Sequence, residues 1–321
     1  ARGRFSWAVN DRFEFDATIY IGDIDNGYDA FSLDNTRETL SDEPGEDSLE
    51  FAAAALKGRW DLGNDYKAEV LVSHVDADSV YSYDEDWSFP GICDGTPCDS
   101  SEWGFDWWYS SVDAYTRSNA NTTVDLRLLS GESGLTSWVA GLYYRDQEQT
   151  LLREYTFAEG DFASRYDTEN LAAYGQVDVP LSDRFALVGG LRLEQRDFDY
   201  ADNSASGGPT GGAGNAGDED FWGGRLALEY RTKRGQLVYG LISRGYKPGG
   251  VNSALLSQLA DLEAQGIEVP GGNLLFEGES LINYELGLKG KALGKRLAFS
   301  VALFYQDRDD VQVKQSIALP I

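Results

Sequence analysis

The sequence predicts an all-β fold: an antiparallel, up-and-down sheet of about twelve strands forming the wall of a transmembrane β-barrel. Three observations carry that expectation. Apolar residues recur with period two along almost the whole chain, tight turns alternate with long excursions, and many segments run well beyond the five or six residues usual for a strand.

In order, the predicted strands cover residues 3–9, 12–24, 49–61, 66–79, 112–129, 136–154, 168–180, 184–199, 220–232, 236–247, 281–292 and 296–313. In "RFALVGGLRLEQRDF", Phe185, Leu187, Leu191 and Leu193 share one face while Arg192, Glu194 and Arg196 share the other. The same alternation appears in "NYELGLKG", where Tyr284, Leu286 and Leu288 oppose Glu285 and Lys289. In "RLAFSVALFYQDR", Leu297, Phe299, Val301, Leu303 and Tyr305 oppose Ser300, Gln306 and Arg308. Short connections at "ND", "GND", "GESG", "SD", "KRG" and "LGK" alternate with excursions near 25–48, 80–111, 155–167, 200–219 and 248–280. Such alternation places every long loop at one end of an up-and-down sheet.

Strands of well over ten residues match the length needed to cross a bilayer at a tilt. With only alternate side chains touching hydrocarbon, a negative mean hydropathy and the lack of any 18-residue apolar run fit a barrel wall as readily as a soluble sheet. Tyr20, Tyr143, Tyr144, Tyr155 and Tyr305 near strand ends suit an interfacial girdle; cross-strand packing in an ordinary sheet is the competing reading.

Composition bounds the function. Hydrophobic content of 42% with 13% aromatics excludes a mostly disordered chain. With 54 acids, 27 bases and no basic stripe along the sequence, nucleic acid is not an expected partner. The opening "ARGRFSWAVNDRF" lacks the apolar core of a signal peptide. One histidine, His74, removes most triads and metalloprotease helices, so no enzyme is expected. Acids at Asp84–Asp86, Asp218–Asp220 and Asp42, Glu43, Glu46 and Asp47 lack EF-hand order and read as solvated loops rather than calcium sites. The sequon "NTT" at 121–123 falls inside a predicted strand and carries no weight. Cys93 and Cys98 in "CDGTPC" read first as a local disulfide of an oxidising compartment, with two free thiols as the alternative; no metal site is expected there.

Two stretches imitate nucleotide loops. In "LVYGLISRGYKPGGVNS", Lys247 precedes its glycines and Pro248 removes an amide, which is the wrong order for a phosphate cradle. Gly212, Gly214 and Gly217 match GxGxxG within a Gly/Ser/Asn run that reads as a flexible loop. No cofactor is expected.

Three hairpins carry a family resemblance. "FWGGRLALEYRTKRGQLVYGLISRGYKPGGVN" ends in Gly-Tyr-Lys-x-Gly-Gly, "ESLINYELGLKGKALGKRLAFSVALFYQDRDDVQV" opens with Glu-Ser-x-x-Asn-Tyr-Glu, and "YGQVDVPLSDRFALVGGLRLEQRD" matches a third pattern. Together, strongest over residues 120–313, they resemble the C-terminal barrel of TonB-dependent outer-membrane receptors. The resemblance implies part of a 22-stranded barrel in the bacterial outer membrane, with short periplasmic turns and long extracellular loops. It implies a plug domain and closing strands not in this chain, since the chain begins in a strand without a plug or TonB box and ends at "KQSIALPI". It also implies energy from the TonB–ExbB–ExbD complex, outer-membrane lipid and lipopolysaccharide as surroundings, and a scarce small-molecule ligand, a ferric siderophore before cobalamin or a saccharide. A passive porin is the alternative.

In this setting "SRGYKPGG" marks where a strand leaves the membrane. Gly245 sits where the wall bends, Tyr246 lies near the interface, and Pro248 with two glycines ends the pairing. Lys247 reads as mainly structural. The candidates for ligand contact are Trp87, Trp103, Trp107 and Trp108, whose rings would stack on a catechol or a sugar, together with Arg244 and Lys247. An acidic mouth mildly disfavours the most anionic chelates.

Overall fold

The computed structural model describes residues 1–27, 31–32, 37–92, 109–131, 136–158, 160–203, 214–252 and 275–313. Its strands are β1 (Arg2–Asn10), β2 (Phe13–Asp25), β3 (Glu46–Gly63), β4 (Tyr66–Asp84), β5 (Val112–Leu129), β6 (Ser137–Tyr155), β7 (Phe162–Pro180), β8 (Phe185–Asp202), β9 (Gly214–Arg231), β10 (Leu237–Lys247), β11 (Gly250–Val251), β12 (Leu275–Phe276), β13 (Glu279–Ala292) and β14 (Leu297–Asp309). Twelve of them form one antiparallel sheet whose spatial order is the sequence order, β1 to β10, then β13 and β14; β11 and β12 form a separate small pair. No ladder joins β1 to β14 among the described residues, so the sheet is an arc of wall with two edges.

All twelve predicted strands are present, yet several reach further than expected. β3 to β9 each run 18 or 19 residues. β7 begins at Phe162 rather than 168, and β9 at Gly214 rather than 220, so part of the supposed flexible glycine run is strand. Only about 9–11 residues of a tilted strand lie in hydrocarbon. The remainder stands above the bilayer at the long-loop end, where both faces meet water and apolar alternation, the signal used to place the strands, disappears.

The two faces separate cleanly within the membrane. Leu142, Leu171, Leu193, Leu226 and Leu286 are exposed by 50–60% on one face, where lipid replaces water as their solvent. Aromatics bracket this apolar band. At the tight-turn end Phe13 stacks on Trp60 at 4.4 Å and Phe185 meets Tyr230 at 4.7 Å. Along β9, Trp222 and Tyr230 mark its upper and lower limits, which at about 3.3 Å per residue lie about 26 Å apart along the strand. The expected girdle is only partly correct. Tyr143 lies under the guanidinium of Arg192 and Tyr155 under that of Arg153, so both face the lumen. Their odd positions in β6 share the face opposite Leu142.

Above the band, the lipid-side face turns acidic. Asp146, Glu148, Asp167, Glu169, Asp197, Asp199 and Asp218 sit there, several directly opposed across ladders: Asp146 to Glu169, Glu148 to Asp167, Asp167 to Asp199, Asp197 to Asp218. Opposed like charges destabilise a sheet. Arg165 offsets part of this by pairing with Glu148 at 2.9 Å and Asp167 at 2.7 Å.

Candidate functional site

On the lumen face, charged and aromatic side chains from strands distant in sequence form continuous hydrogen-bonded clusters. Arg192 pairs with Glu194 at 2.7 Å, and Glu194 also accepts from Asn170 at 2.8 Å and from the Tyr246 hydroxyl at 2.6 Å. The Tyr174 hydroxyl donates to Asp125 at 2.7 Å, which also holds Arg127. Tyr246 is therefore part of the lumen wall and not an interfacial residue as the sequence suggested. The β9–β10 ladder stops at Arg244 and Gly224, and past it the Tyr246 ring turns inward, stacking on Phe221 at 4.8 Å with 3° between planes.

Above these clusters the chain folds a short strap across the wall. Arg196 donates to Glu219 at 2.7 Å and to the Gly249 carbonyl at 3.2 Å, and contacts the Tyr166 hydroxyl. Glu219 uses its other oxygen to accept the Gly249 amide at 3.0 Å. Gln312 donates to the Pro248 carbonyl at 2.8 Å and to the Glu277 carbonyl at 3.0 Å. Glycine is required at 249, because a Cβ there would lie 2.4 Å from the Phe276 carbonyl oxygen and 2.6 Å from the Glu219 carboxylate. The strap, β11 with β12, was not predicted: two-residue strands are too short to show any period.

Beneath the strap lies a lumen-facing cleft of about 790 Å³. Arg117, Arg196 and Lys247 line it together with Tyr166, Tyr200 and Phe276, while Asn119, Gln149, Gln312 and several hydroxyls supply neutral polar contacts. Among the described residues no carboxylate belongs to the lining, in a chain with twice as many acids as bases. Neither Arg117 nor Lys247 has an ion-pair partner among the described residues; the Arg117 guanidinium sits 5.0 Å from the Tyr115 ring centre. Such a cleft can stack a flat or aromatic ligand and neutralise its negative charge.

The predicted contact residues separate. Lys247 lines the cleft. Arg244 lies on the opposite face, bonded to the Trp222 carbonyl with its guanidinium 4.4 Å from the Trp222 ring centre, and takes no part in the cleft. Trp87, in a left-handed conformation with φ of 58°, stacks on Phe31 at 5.3 Å, so one ring face is taken up by packing between loop bases. Trp103, Trp107, Trp108, Cys93 and Cys98 lie outside the described residues. Arg117, Tyr166, Tyr200 and Phe276 were missed. Arg117 is a lone base in "AYTRSNANTT", and only its lumen-side parity could have singled it out.

One acidic cluster proved buried rather than solvated. Asp84 and Asp86 are 3% and 1% exposed. Asp84 accepts from the Ser41 hydroxyl at 2.6 Å and the Trp87 amide at 2.7 Å, while Asp86 accepts from the Ser88 hydroxyl at 2.7 Å and the Ser111 amide at 2.9 Å. These carboxylates tie the bases of two long loops together by satisfying backbone donors. Among the described residues no His, Cys, Asp and Glu grouping could hold a metal ion.

A bilayer-length antiparallel arc, apolar toward lipid and charged toward its lumen, with a ligand-sized cleft under a strap at the long-loop end, is the wall of an outer-membrane β-barrel. The family model described as TonB dependent receptor-like, beta-barrel matches residues 3–320, and the chain belongs to that family. It is thus a protein of the Gram-negative outer membrane, from a family of receptors and not of enzymes. It is 30% identical over 187 residues to the pesticin receptor of Yersinia enterocolitica, covering 57% of this chain and 26% of that protein. Its fold is similar to the ferric yersiniabactin uptake receptor FyuA from Yersinia pestis, with a TM-score of 0.70, 20% identity, and coverage of 97% of this chain and 45% of the other. The alcaligin outer-membrane receptor FauA from Bordetella pertussis gives a TM-score of 0.64 at 15% identity, covering 98% and 44%. The chain thus spans about a quarter of the pesticin receptor and less than half of either solved receptor.

Proposed function

We propose that the intact protein captures a scarce anionic ligand, an iron chelate before other cargo, and imports it by an energy-dependent step coupled to TonB. On this reading residues 1–321 are part of one barrel domain, the plug and remaining strands lie outside them, and the TonB–ExbB–ExbD complex supplies the energy. The observation that carries the reading is the cleft without a carboxylate among its described lining residues, where Arg117 and Lys247 have no ion-pair partner among the described residues, Arg196 is held by Glu219, and Tyr166 and Phe276 lie alongside. An acidic outer surface opposes anions, so a locally basic, aromatic pocket in the lumen is a selective feature rather than a by-product of composition. Similarity to a receptor named for ferric yersiniabactin uptake supports a ferric chelate.

The test uses cells carrying the full-length gene and a panel of radiolabelled ferric chelates. One of them should accumulate against its gradient, dissipation of the proton-motive force should abolish accumulation while leaving surface binding intact, and Arg117→Gln with Lys247→Gln should weaken binding tenfold or more. Uptake that persists in de-energised cells in proportion to external concentration would establish the porin alternative.

A further inference from the structure

Folding assembles a basic surface that the linear sequence does not display. The end of β9 with the β9–β10 turn contributes Arg231, Lys233 and Arg234, and β13 with the β13–β14 turn contributes Lys289, Lys291, Lys295 and Arg296. The register that pairs Leu237 with Lys289 and Ala292 with Leu297 sets these two turns side by side at the tight-turn end of the wall. Residues 230–252 and 286–306 contain no aspartate or glutamate, although the chain has 54 acids. None of the seven bases forms an ion pair among the described residues, whereas nine other bases do, Arg59 and Arg165 among them.

A second cleft, of about 710 Å³, opens among them, lined by Arg234, Lys289, Lys291 and Lys295 and, among the described residues, by no carboxylate. Lys289 lies 5.0 Å from the centre of the Tyr239 ring, whose hydroxyl donates to Glu285 at 2.5 Å. Lys289 and Lys291 share the face of Glu285, opposite Tyr284 and Leu286, so they project into the lumen and away from lipid. Like charges gathered without counter-charges repel, and a multivalent anion bridging them relieves that repulsion at several points at once.

We propose that this rim is a binding site for a multivalent oxyanion, clustered carboxylates or phosphates, at the periplasmic mouth of the lumen. The site does not depend on what the upper cleft binds. The oxyanion has two sources, a free solute and the phosphate of a phospholipid headgroup, and the lumen-side orientation of Lys289 and Lys291 favours the solute.

Lysine footprinting tests the proposal at residue resolution. The full-length protein in phosphatidylcholine nanodiscs is acetylated with a water-soluble reagent, with and without inorganic pyrophosphate, against sodium chloride of equal ionic strength. Pyrophosphate should slow acetylation of Lys289, Lys291 and Lys295 at least threefold beyond the chloride control and leave Lys67, at another tight turn, unchanged. Arg234→Gln with Arg296→Gln should reduce that protection, with unaltered heat-modifiable migration in electrophoresis showing that the variant has folded. Protection in phosphatidylglycerol nanodiscs without pyrophosphate would assign the site to the headgroup; its absence there would assign it to the solute. Protection no greater than that given by chloride would overturn the proposal.

Discussion

Asp113 and Arg153 meet across the β5–β6 ladder in a two-pronged contact, Nε to Oδ1 and Nη2 to Oδ2, both 2.8 Å. Tyr83 and Tyr115 donate to the same carboxylate at 3.1 and 2.9 Å, and the guanidinium lies 5.3 Å from the Tyr115 ring centre. One carboxylate thus organises three neighbours drawn from β4, β5 and β6.

Asp113→Ala leaves a guanidinium and two hydroxyls without their acceptor, at a position where the carboxylate itself is 2% exposed. The expected loss is about 2–4 kcal/mol, because removing one partner strands the others. Arg153→Met added to Asp113→Ala should recover part of it. Denaturant unfolding of the full-length protein in detergent measures both, and an unchanged midpoint for the single variant would show the cluster to be dispensable.

The loop-base carboxylate Asp84, at the long-loop end above the bilayer, has its pKa raised from 3.8, chiefly by burial and further by Asp86, against the opposing bonds from Ser41 and Trp87. A raised acid pKa means that the folded state holds the proton more tightly than the unfolded one. The stability it contributes is full below 3.8 and is lost as pH rises through the folded value. Protection of the Trp87 amide against hydrogen exchange, corrected for intrinsic rate, should therefore be highest at pH 3.8 and below and fall as the pH is raised from there. The reverse trend would contradict the burial argument.

Topology is open to chemical labelling. Ala158 lies in a long-side connection and Lys233 in a tight turn. Cysteine at 158 should react with an impermeant maleimide on intact cells, and cysteine at 233 only after the outer membrane is permeabilised. Equal labelling of intact cells would reject the orientation.

Cys93 and Cys98 are expected to be joined in the mature protein. A loop this short would restrain the unfolded chain by about 2 kcal/mol, so the bond would act mainly on the conformation of its own six-residue stretch. Alkylation without reductant followed by mass spectrometry should find neither residue modified; two alkylated cysteines would refute the bond.

The fold was legible because hydrocarbon imposes a simple rule on the wall: Leu187, Leu191 and Leu193 must alternate with Arg192 and Glu194 whatever the ligand. The cleft was far less legible. Its members meet across 30 to 53 residues, as Arg196 meets Tyr166 and Gly249, and nothing local in "DTENLAAYG" or "EQRDF" announces a partner. Lys247 drew notice only because it stands in a recognisable turn. The basic rim escaped because its halves are more than fifty residues apart in sequence, and only the strand register brings them together.

The acids above the lipid band and the bases at the tight turns also give assembly a direction. Asp146, Glu148, Asp167, Glu169, Asp197, Asp199 and Asp218 must all be carried through hydrocarbon before the long loops reach the exterior, whereas Lys233, Arg234, Lys295 and Arg296 never leave the side on which the chain arrives. Passing charged groups one by one through a bilayer costs several kcal/mol each. Hairpins inserted singly would stall at that barrier, so insertion is favoured as a concerted movement of many strands, and once the carboxylates are across, the same barrier holds the wall in place against slipping back.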